Sequence, residues 1–337
     1  MTTIPAIEDE DTSAAEISFA PDRLLRAILP SHALRVVVTT TTEVAREAAA
    51  RHGAVGGPAA ALARAATAGL LLATLTKDRE RLTAELSGGG PLGSLLVDAN
   101  GAGEVRVYLR NPGTPITVVP GAHVPLGAAL GSTGIVRVAR DLGLRETVTG
   151  QTPLVDGEID TDLEHYLVSS EQVPSALGCE ALLGPGLDVV ASGGVLLQTL
   201  PGSDALPVLE QWRADLRAGA LTRALQGQSG AAADPLVLLH ALIAQHPQGR
   251  ELAEDLVVLS QSSVRFHCPC SKARALATLG VLTAQDLREM VAEGNGAEVT
   301  CEFCRARHLI APPELAEQLA RKLAEDQRTR PGGARPS

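Results

Sequence analysis

Two close pairs of cysteines constrain the fold of this chain more than any other feature. Cys268 and Cys270 form the first pair, Cys301 and Cys304 form the second, and 30 residues separate the pairs. Two thiolate pairs brought together by the fold between them match the donor set of a tetrahedral zinc site. A small module with few large apolar residues also gains most of its folding free energy from such a metal. We therefore predict one Zn²⁺ per chain, ligated by these four sulfurs.

Residues near the pairs leave alternatives open. His267 and His308 flank the cysteines and could replace one sulfur in a site of three cysteines and one histidine. A disulfide between Cys268 and Cys270 would close a very small ring, and strained disulfides are the labile, regulatory kind. The fifth cysteine, Cys179, stands alone and is expected to be a small buried hydrophobe rather than a nucleophile.

The composition limits the classes of protein to which the chain can belong. It has 337 residues, of which 45% are hydrophobic and only 2% aromatic, so Ala, Val and Leu must build its core. This content excludes a disordered chain, and five cysteines are too few for a disulfide scaffold of this length. The formal net charge of −10 and the scarcity of aromatic residues argue against nucleic acid as the main ligand.

Other features indicate the compartment. An acidic stretch over residues 8–11 is the opposite of a signal-peptide start. The longest apolar stretch, residues 58–75, contains Arg64 and is expected to be a buried helix rather than a membrane span. Together with the sparse cysteines, these features predict a reducing, cytoplasmic location without membrane attachment.

Hydrophobic periodicity predicts an α+β fold, with an N-terminal mixed sheet-plus-helix domain, a helical linker and a small C-terminal zinc-binding domain. The alternating pattern of strands is expected to stop at Leu206. The predicted boundaries are a disordered acidic tail over 1–17, the N-terminal domain over 18–203, the linker over 204–264, the zinc-binding domain over 265–325 and a disordered tail over 326–337.

The pattern also assigns individual elements. Asp22 is expected to cap a short helix that contains Leu24, Leu25 and Ile28. Strands are predicted over 35–41, 81–87, 94–98, 104–110, 134–139, 147–153, 187–191 and 194–199. Helices are predicted over 43–51, from 57 to about 77, over 158–170 and, in the linker, as two or three apolar helices ending with 251–259. The linker helices are expected to have no sheet on which to pack.

No motif predicts an enzyme. The glycines at 88–90 lack the lysine and hydroxyl of a phosphate-binding loop, and neither an acid/base pair nor a nucleophile elbow is evident. The cysteine pairs could act as a switch that responds to oxidation of the thiols, and two alternatives to this function remain open. One is a thiol–disulfide oxidoreductase that uses Cys301 and Cys304 after a predicted strand. The other is a zinc ribbon that binds nucleic acid through scattered basic residues, namely Arg265, Lys272, Arg274, Arg305 and Arg307.

Four segments match motifs of a known family. Cys-x-Cys-Ser-Lys from Cys268, with Glu-Val-Thr-Cys-Glu-Phe-Cys over 298–304, fits its zinc module. Residues 22–27 resemble its opening helix, 166–174 its helix followed by Ser-Glu-Gln, and 192–201 its Gly-Gly…Leu-Leu-Gln…Pro strand. Over about residues 18–325 the chain resembles the 33 kDa heat-shock protein family of redox-regulated chaperones. It departs from the family's usual Arg-Gly-Tyr at Arg106-Val107-Tyr108. It also has fewer charged residues after Cys-x-Cys-Ser than the family usually has.

The resemblance implies an ATP-independent holdase that is switched by oxidation. In the reduced state the four cysteines would hold zinc, and the folded module would clamp the linker onto the first domain. Oxidation would form the disulfides Cys268–Cys270 and Cys301–Cys304, release zinc and unfold the module and linker. Dimerisation would then be favoured, and the exposed apolar surface would bind unfolding client proteins.

Overall fold

The computed structural model describes residues 21–77, 80–141, 143, 147–202, 205–227 and 234–329, which form an α+β fold as predicted. The strands are β1 (Arg23–Leu29), β2 (Leu34–Thr40), β3 (Arg81–Gly88), β4 (Ser94–Asn100), β5 (Glu104–Leu109), β6 (Gly134–Asp141), β7 (Val148–Pro153), β8 (Ser175–Leu183), β9 (Val189–Thr199), β10 (Val257–Ser263), β11 (Arg265–Phe266), β12 (Ala297–Thr300) and β13 (Arg307–Ile310). The helices are α1 (Thr42–His52), α2 (Gly57–Ala73), α3 (Gly127–Leu130), α4 (Ile159–Ser169), α5 (Leu206–Arg217), α6 (Ala220–Gln226), α7 (Pro235–Ile243), α8 (Gly249–Asp255), α9 (Lys272–Thr278), α10 (Ala284–Glu293) and α11 (Pro312–Thr329).

Two sheets and the helix between them form the main core. The five-stranded sheet has the order β10-β1-β2-β9-β8, and the six-stranded sheet has the order β11-β5-β4-β3-β6-β7. Helix α2 contacts strands of both sheets and is buried along its whole length. Small residues make this possible: a Cβ at Gly69 would come within 2.3 Å of Val97 Cγ2, so only glycine allows this approach.

The apolar stretch around Arg64 is a buried helix, as predicted. The Arg64 side chain is fully buried, and its guanidinium pairs with Glu158 at 2.8 Å and Asp160 at 2.9 Å. Buried charges need such partners, because an isolated buried charge loses its hydration. Within the described residues, no helix combines the length and the apolar character needed to cross a bilayer.

The linker differs from its prediction. Helices α5 to α8 pack on the face of the five-stranded sheet that points away from α2, so they do have a sheet to cover. Their buried residues, including Trp212 and Leu239, share one cluster with Leu25 and Leu197 of that sheet. The prediction that strands stop at Leu206 is wrong, because β10 and β11 complete one edge of each sheet. The predicted helix over 251–259 ends at Asp255.

Two further predictions for the N-terminal domain are wrong, because pairing between strands decides the structure of both segments. The helix expected over Leu24 to Ile28 is strand β1, in which Leu25, Ala27 and Leu29 alternate toward the linker helices. Asp22 caps a different helix, since its Oδ2 accepts a hydrogen bond from the backbone of Val44 in α1 at 2.8 Å. The two strands expected over 187–199 are the single strand β9, which pairs with the unpredicted β8.

The other strands and helices predicted for the N-terminal domain lie close to their predicted positions, with shifts of a few residues at their ends. No individual prediction was made for α3, β13 or the helices α9 to α11. The predicted helix after Gly57 is shorter and ends at Ala73. Helix α11 continues to Thr329, four residues into the predicted C-terminal tail. The predicted tail over 1–17 and the tail residues from 330 onward lie outside the described residues.

Candidate metal centre

The first cysteine pair follows the short strand β11. This strand pairs in parallel with β5, and the His267 backbone N–H donates to the Val105 carbonyl at 2.8 Å. Cys268 and Cys270 come next, outside any helix or strand, and Ser271 caps the start of helix α9, where its side chain accepts from the Arg274 N–H. The edge of the six-stranded sheet and the start of α9 thus position the two sulfurs.

The second pair lies in the tight connection between β12 and β13. The Cys301 N–H donates to the Ala306 carbonyl at 2.9 Å, and the Arg305 N–H donates to the Cys301 carbonyl at 2.8 Å. Arg305 closes this loop in the left-handed region at φ 59°. The pair is therefore in a hairpin loop, whereas a thioredoxin-like pair stands at the start of a helix.

The sulfur atoms of the four predicted ligands form one cluster. They lie within 4.8 Å of one another, with Cys268 Sγ 3.7 Å from Cys301 Sγ and Cys270 Sγ 3.3 Å from Cys304 Sγ. A tetrahedron with metal–sulfur bonds of about 2.3 Å has sulfur–sulfur edges of about 3.8 Å, so the arrangement fits a metal ion. Among the described residues, this cluster contains neither of the candidate histidines, His267 and His308.

The electrostatics of the cluster favour one ionised sulfur. Burial opposes ionisation of Cys268, yet its pKa is lowered to about 7 because Arg106 and the Cys270 backbone N–H donate hydrogen bonds to it. The pKa of Cys270 is raised by burial and by the neighbouring thiols of Cys304 and Cys268. Sulfurs this close cannot all be charged unless a cation lies among them. Metal binding would replace the thiol protons of the whole cluster.

Arg106 connects the cluster to the N-terminal domain. Its Nη1 lies 3.5 Å from Cys268 Sγ, and its Nη2 donates to Asp98 at 3.2 Å. The same guanidinium stacks on the Phe303 ring at 4.2 Å from the centroid. One side chain of β5 therefore contacts both cysteine segments.

Helix α1 provides a second set of contacts. Arg51 donates to the Cys304 carbonyl at 3.2 Å and stacks on the Phe266 ring at 5.0 Å. The Nε2 atom of His52 lies 3.0 Å from the Phe303 carbonyl and 3.1 Å from the Val107 carbonyl, so an Nε2–H can donate to either. The cysteine segments and the main core share one buried cluster, which includes Cys304.

These docking residues were not predicted from the sequence. Arg106 is at a polar position of an alternating strand, and Arg51 and His52 end an ordinary helix, so each resembles a solvent-facing residue. Cys179 behaves as expected: it is 2% exposed, and burial raises the pKa of its thiol well above the usual value.

Comparison with known proteins identifies the family. A family model described as "Hsp33 protein" matches residues 22–311. The chain belongs to the Hsp33 family. The family predicted from the cysteine pairs and the other segments is therefore confirmed. The Hsp33 match runs from the start of β1 to the end of β13, so it includes both cysteine pairs and the linker helices.

Relatives match along nearly their full length. The 33 kDa chaperonin of Bacillus subtilis is 34% identical over 294 residues, which is 87% of this chain and 97% of the relative. The 33 kDa chaperonin of Enterococcus faecalis is 33% identical over 298 residues, or 88% and 95% of the two chains. The crystal structure of the 33 kDa chaperonin from Thermotoga maritima superposes with a TM-score of 0.75 at 26% identity, covering 90% of this chain and 99% of that one. Over that coverage, this Hsp33 chain shares the fold of the Thermotoga protein.

Proposed function

We propose that this protein is a redox-regulated, ATP-independent holdase of the Hsp33 family. The observation that carries the proposal is the position of the sulfur cluster, which lies against the N-terminal core at the end of the segment that follows the linker helices. A change at the sulfurs can thus be transmitted to the linker. Unfolding proteins are the proposed partners, the proposed location is the cytoplasm, and no catalytic reaction is proposed.

Zinc is the proposed metal because four thiolates in a tetrahedral arrangement are a typical donor set for structural Zn²⁺. Cys268, Cys270, Cys301 and Cys304 would hold one ion in the reduced chain. The bound ion supplies folding free energy and keeps the sulfurs deprotonated, so that they can react with oxidants. Arg106 would hold the Cys268 segment on β5 and steady the cluster against the core.

The proposed switch is oxidation to the disulfides Cys268–Cys270 and Cys301–Cys304. For each bond, one thiolate attacks a peroxide oxygen to give a sulfenic acid and hydroxide, and the neighbouring thiolate then displaces a second hydroxide. Two thiolates lose two electrons, and one peroxide is reduced. Once all four sulfurs are consumed in this way, none remains to ligate the metal, and the small C-terminal domain over 265–325 loses its main source of stability.

The linker would then separate from the five-stranded sheet and expose apolar surface on both sides. Its buried cluster includes Leu209, Trp212, Leu225, Leu238, Leu239 and Leu242, which cover Leu25, Val36 and Leu197 of the sheet. An apolar area of this kind, once exposed, binds other proteins or associates with a second copy. The proposal includes a homodimer in the oxidised state, with the linker over 204–264 as the moving part.

The test measures three quantities on the purified full chain. Aggregation of a chemically denatured test protein is followed by light scattering, with zinc release and free thiols counted in parallel, before and after peroxide at mild heat. We expect suppression to appear only after oxidation, with four thiols lost for each zinc released. The Cys179→Ser variant is the matched control and should behave like the parent. Equal suppression by the reduced and oxidised chains would contradict the proposal.

A further inference from the structure

Residues 257–266, the β10–β11 segment, join the two sheets and lead directly to the first cysteine pair. Strand β10 pairs antiparallel with β1 at the edge of the five-stranded sheet, with Arg26 opposite Ser260 and Ile28 opposite Val257. After Val264, strand β11 pairs with β5 at the edge of the other sheet. The strand that covers β1 is therefore continuous with the segment that ends in Cys268.

The side chains of β10 contribute little to holding it in place. Six of its seven residues are exposed to solvent. The exposed fractions of Val257, Val258 and Leu259 are 45%, 44% and 58%. The strand is attached mainly by backbone hydrogen bonds to β1. Backbone pairing does not depend on side-chain identity, so another extended chain could form the same ladder.

Anchors at both ends keep β10 on β1. Upstream, Asp255 accepts from the backbone N–H groups of Ser31 at 3.0 Å and His32 at 3.2 Å. Downstream, the Val264 N–H donates to the Asp22 carbonyl at 3.1 Å, and Val264 and Phe266 are buried in the main core. A strand held at both ends is present at a high effective concentration, which falls when one end is released.

We infer that release of the downstream anchor opens the outer edge of β1, and that this edge binds an extended apolar segment of an unfolding protein as a replacement strand. The inference rests on the proposed function, because loss of the folded metal centre is what would release Phe266. An unpaired edge presents a row of N–H and C=O groups that a second chain can pair with. It adds a defined backbone site to the general apolar surface under the linker.

The sequence of β10 favours a client over a second copy as the occupant. Four of its seven residues are Ser or Gln, and Gln261 stands opposite the buried Leu25. A segment with an apolar residue at that position would bury surface that β10 leaves unburied. The β10 strand of a second copy has no such advantage, whereas unfolding proteins expose extended apolar segments.

The first test uses synthetic peptides and the full chain, reduced with zinc or oxidised. The β1–β10 register shifts at a bulge between Ser260 and Val258, and it is regular over 260–263. A fluorescent peptide with the β10 sequence is therefore compared with two versions that are N-methylated only within this regular stretch, one at positions 260 and 262 and one at positions 261 and 263. Only one set of amides can face β1, because successive amides point to opposite sides of a strand. We expect binding to the oxidised chain alone, and a loss of about tenfold or more for one methylated version only. Equal effects of the two methylations, in either direction, would overturn the inference.

The second test locks the edge. Arg26→Cys combined with Ser260→Cys places two cysteines opposite each other in the ladder, and Arg26→Cys alone is the control. After oxidation, the locked chain should still release zinc but should lose peptide binding and part of its aggregation suppression. Peptide binding as tight as in the control would overturn the inference. Failure to release zinc in the control would instead count against the proposed function.

The oligomeric state separates the two occupants of the edge. Sedimentation of the oxidised chain with increasing peptide is compared for the locked and control variants. We expect the dimer, where it forms, to persist when the peptide is bound. If the peptide dissociates the dimer and the lock prevents dimer formation, a second copy occupies the β1 edge, and the assignment to clients is overturned.

Discussion

Asp22 joins three parts of the chain through a single buried residue. Its carboxylate accepts from the Val44 N–H at the start of α1, and its backbone carbonyl accepts from Val264 between β10 and β11. Burial raises the pKa of this carboxyl to about 7, against the opposing effect of the N–H groups at the start of the helix. The residue is therefore partly protonated near neutral pH.

This pKa predicts how stability depends on pH. The folded chain holds the Asp22 proton more tightly than the unfolded chain, in which the carboxyl has its ordinary pKa of 3.8. The contribution of Asp22 to stability is therefore largest in acid. It falls as pH rises from about 4 to about 7 and is constant above that, by no more than about 4 kcal/mol. Asp22→Asn cannot ionise, so the free energy of unfolding of the parent minus that of the variant should fall as pH rises over this range. Denaturant unfolding at several pH values measures it, and parallel curves would contradict the pKa.

Arg106 joins separate parts of the chain at the candidate metal centre, as Asp22 does at the start of β1. Arg106→Lys keeps the charge but loses the planar group that contacts Cys268, Asp98 and Phe303 together. We expect metal transfer from the reduced chain to a chromogenic chelator to be about tenfold faster, for a loss of about 1–2 kcal/mol. The control is Arg137→Lys, a half-exposed residue that pairs with Glu85 on the same sheet. Equal transfer rates for the two variants would exclude this role.

At the residue scale, the clustering of the four cysteines could be predicted, and the residues that pack against the cluster could not. Four cysteines at metal-binding spacing can be recognised from the sequence alone, because few other functions require two such pairs. Arg106, Arg51 and His52 carry no comparable signal, since a charged residue on an exposed face and one that docks a neighbouring domain look alike in one sequence. Only the packing of the cysteine segments on β5 and α1 distinguishes them.

Among the elements, helix α7 offers the clearest test of the linker. Leu239 is fully buried against the five-stranded sheet, whereas Val237 on the same helix is 52% exposed. Leu239→Ala should cost about 2–5 kcal/mol and weaken the closed state. The variant should suppress aggregation at a lower oxidant dose than the parent, and Val237→Ala should not. Identical dose curves for the two variants would show that this contact does not hold the linker.

Elements with their own periodicity were predictable, and those defined by partners were not. Helix α1 ends at His52 with Gly53 as its C-terminal cap, and α2 begins at Gly57 before Pro58, as local rules require. The apolar spacing of strand β1 fits both a helix and a strand, and only its pairing with β2 and β10 decides between them. Strand β10 has no buried face, so its sequence contains no alternation to detect.

On the scale of the whole molecule, the C-terminal module depends on outside support. Its own buried cluster consists of Ala275, Ile310 and Leu315, with partly buried neighbours. The sulfur cluster instead packs with the main core. With so little apolar burial, the module would depend on the proposed metal and on its docking surface to stay folded.

Removal of metal should therefore unfold one region and spare another. When a strong chelator is added to the reduced chain, amides of β12, β13 and α10 should lose their protection from hydrogen exchange. Amides of β2 and β9, which lie inside the five-stranded sheet, should keep theirs. Hydrogen-exchange mass spectrometry measures both regions in one experiment. Unchanged protection of β12 and β13 would show that the module folds without metal.

The position of β10 in the chain also determines the order in which each new copy is completed. Among the described strands of the five-stranded sheet, β1 is synthesised first and its outer partner β10 is synthesised last. The outer edge of β1 therefore has no β10 strand to cover it until the rest of the sheet has been synthesised. Every copy thus passes through a stage in which β1 is open, before any oxidant acts. The closed chain is the last state reached in biosynthesis, and the proposed activation would return the molecule toward an earlier one.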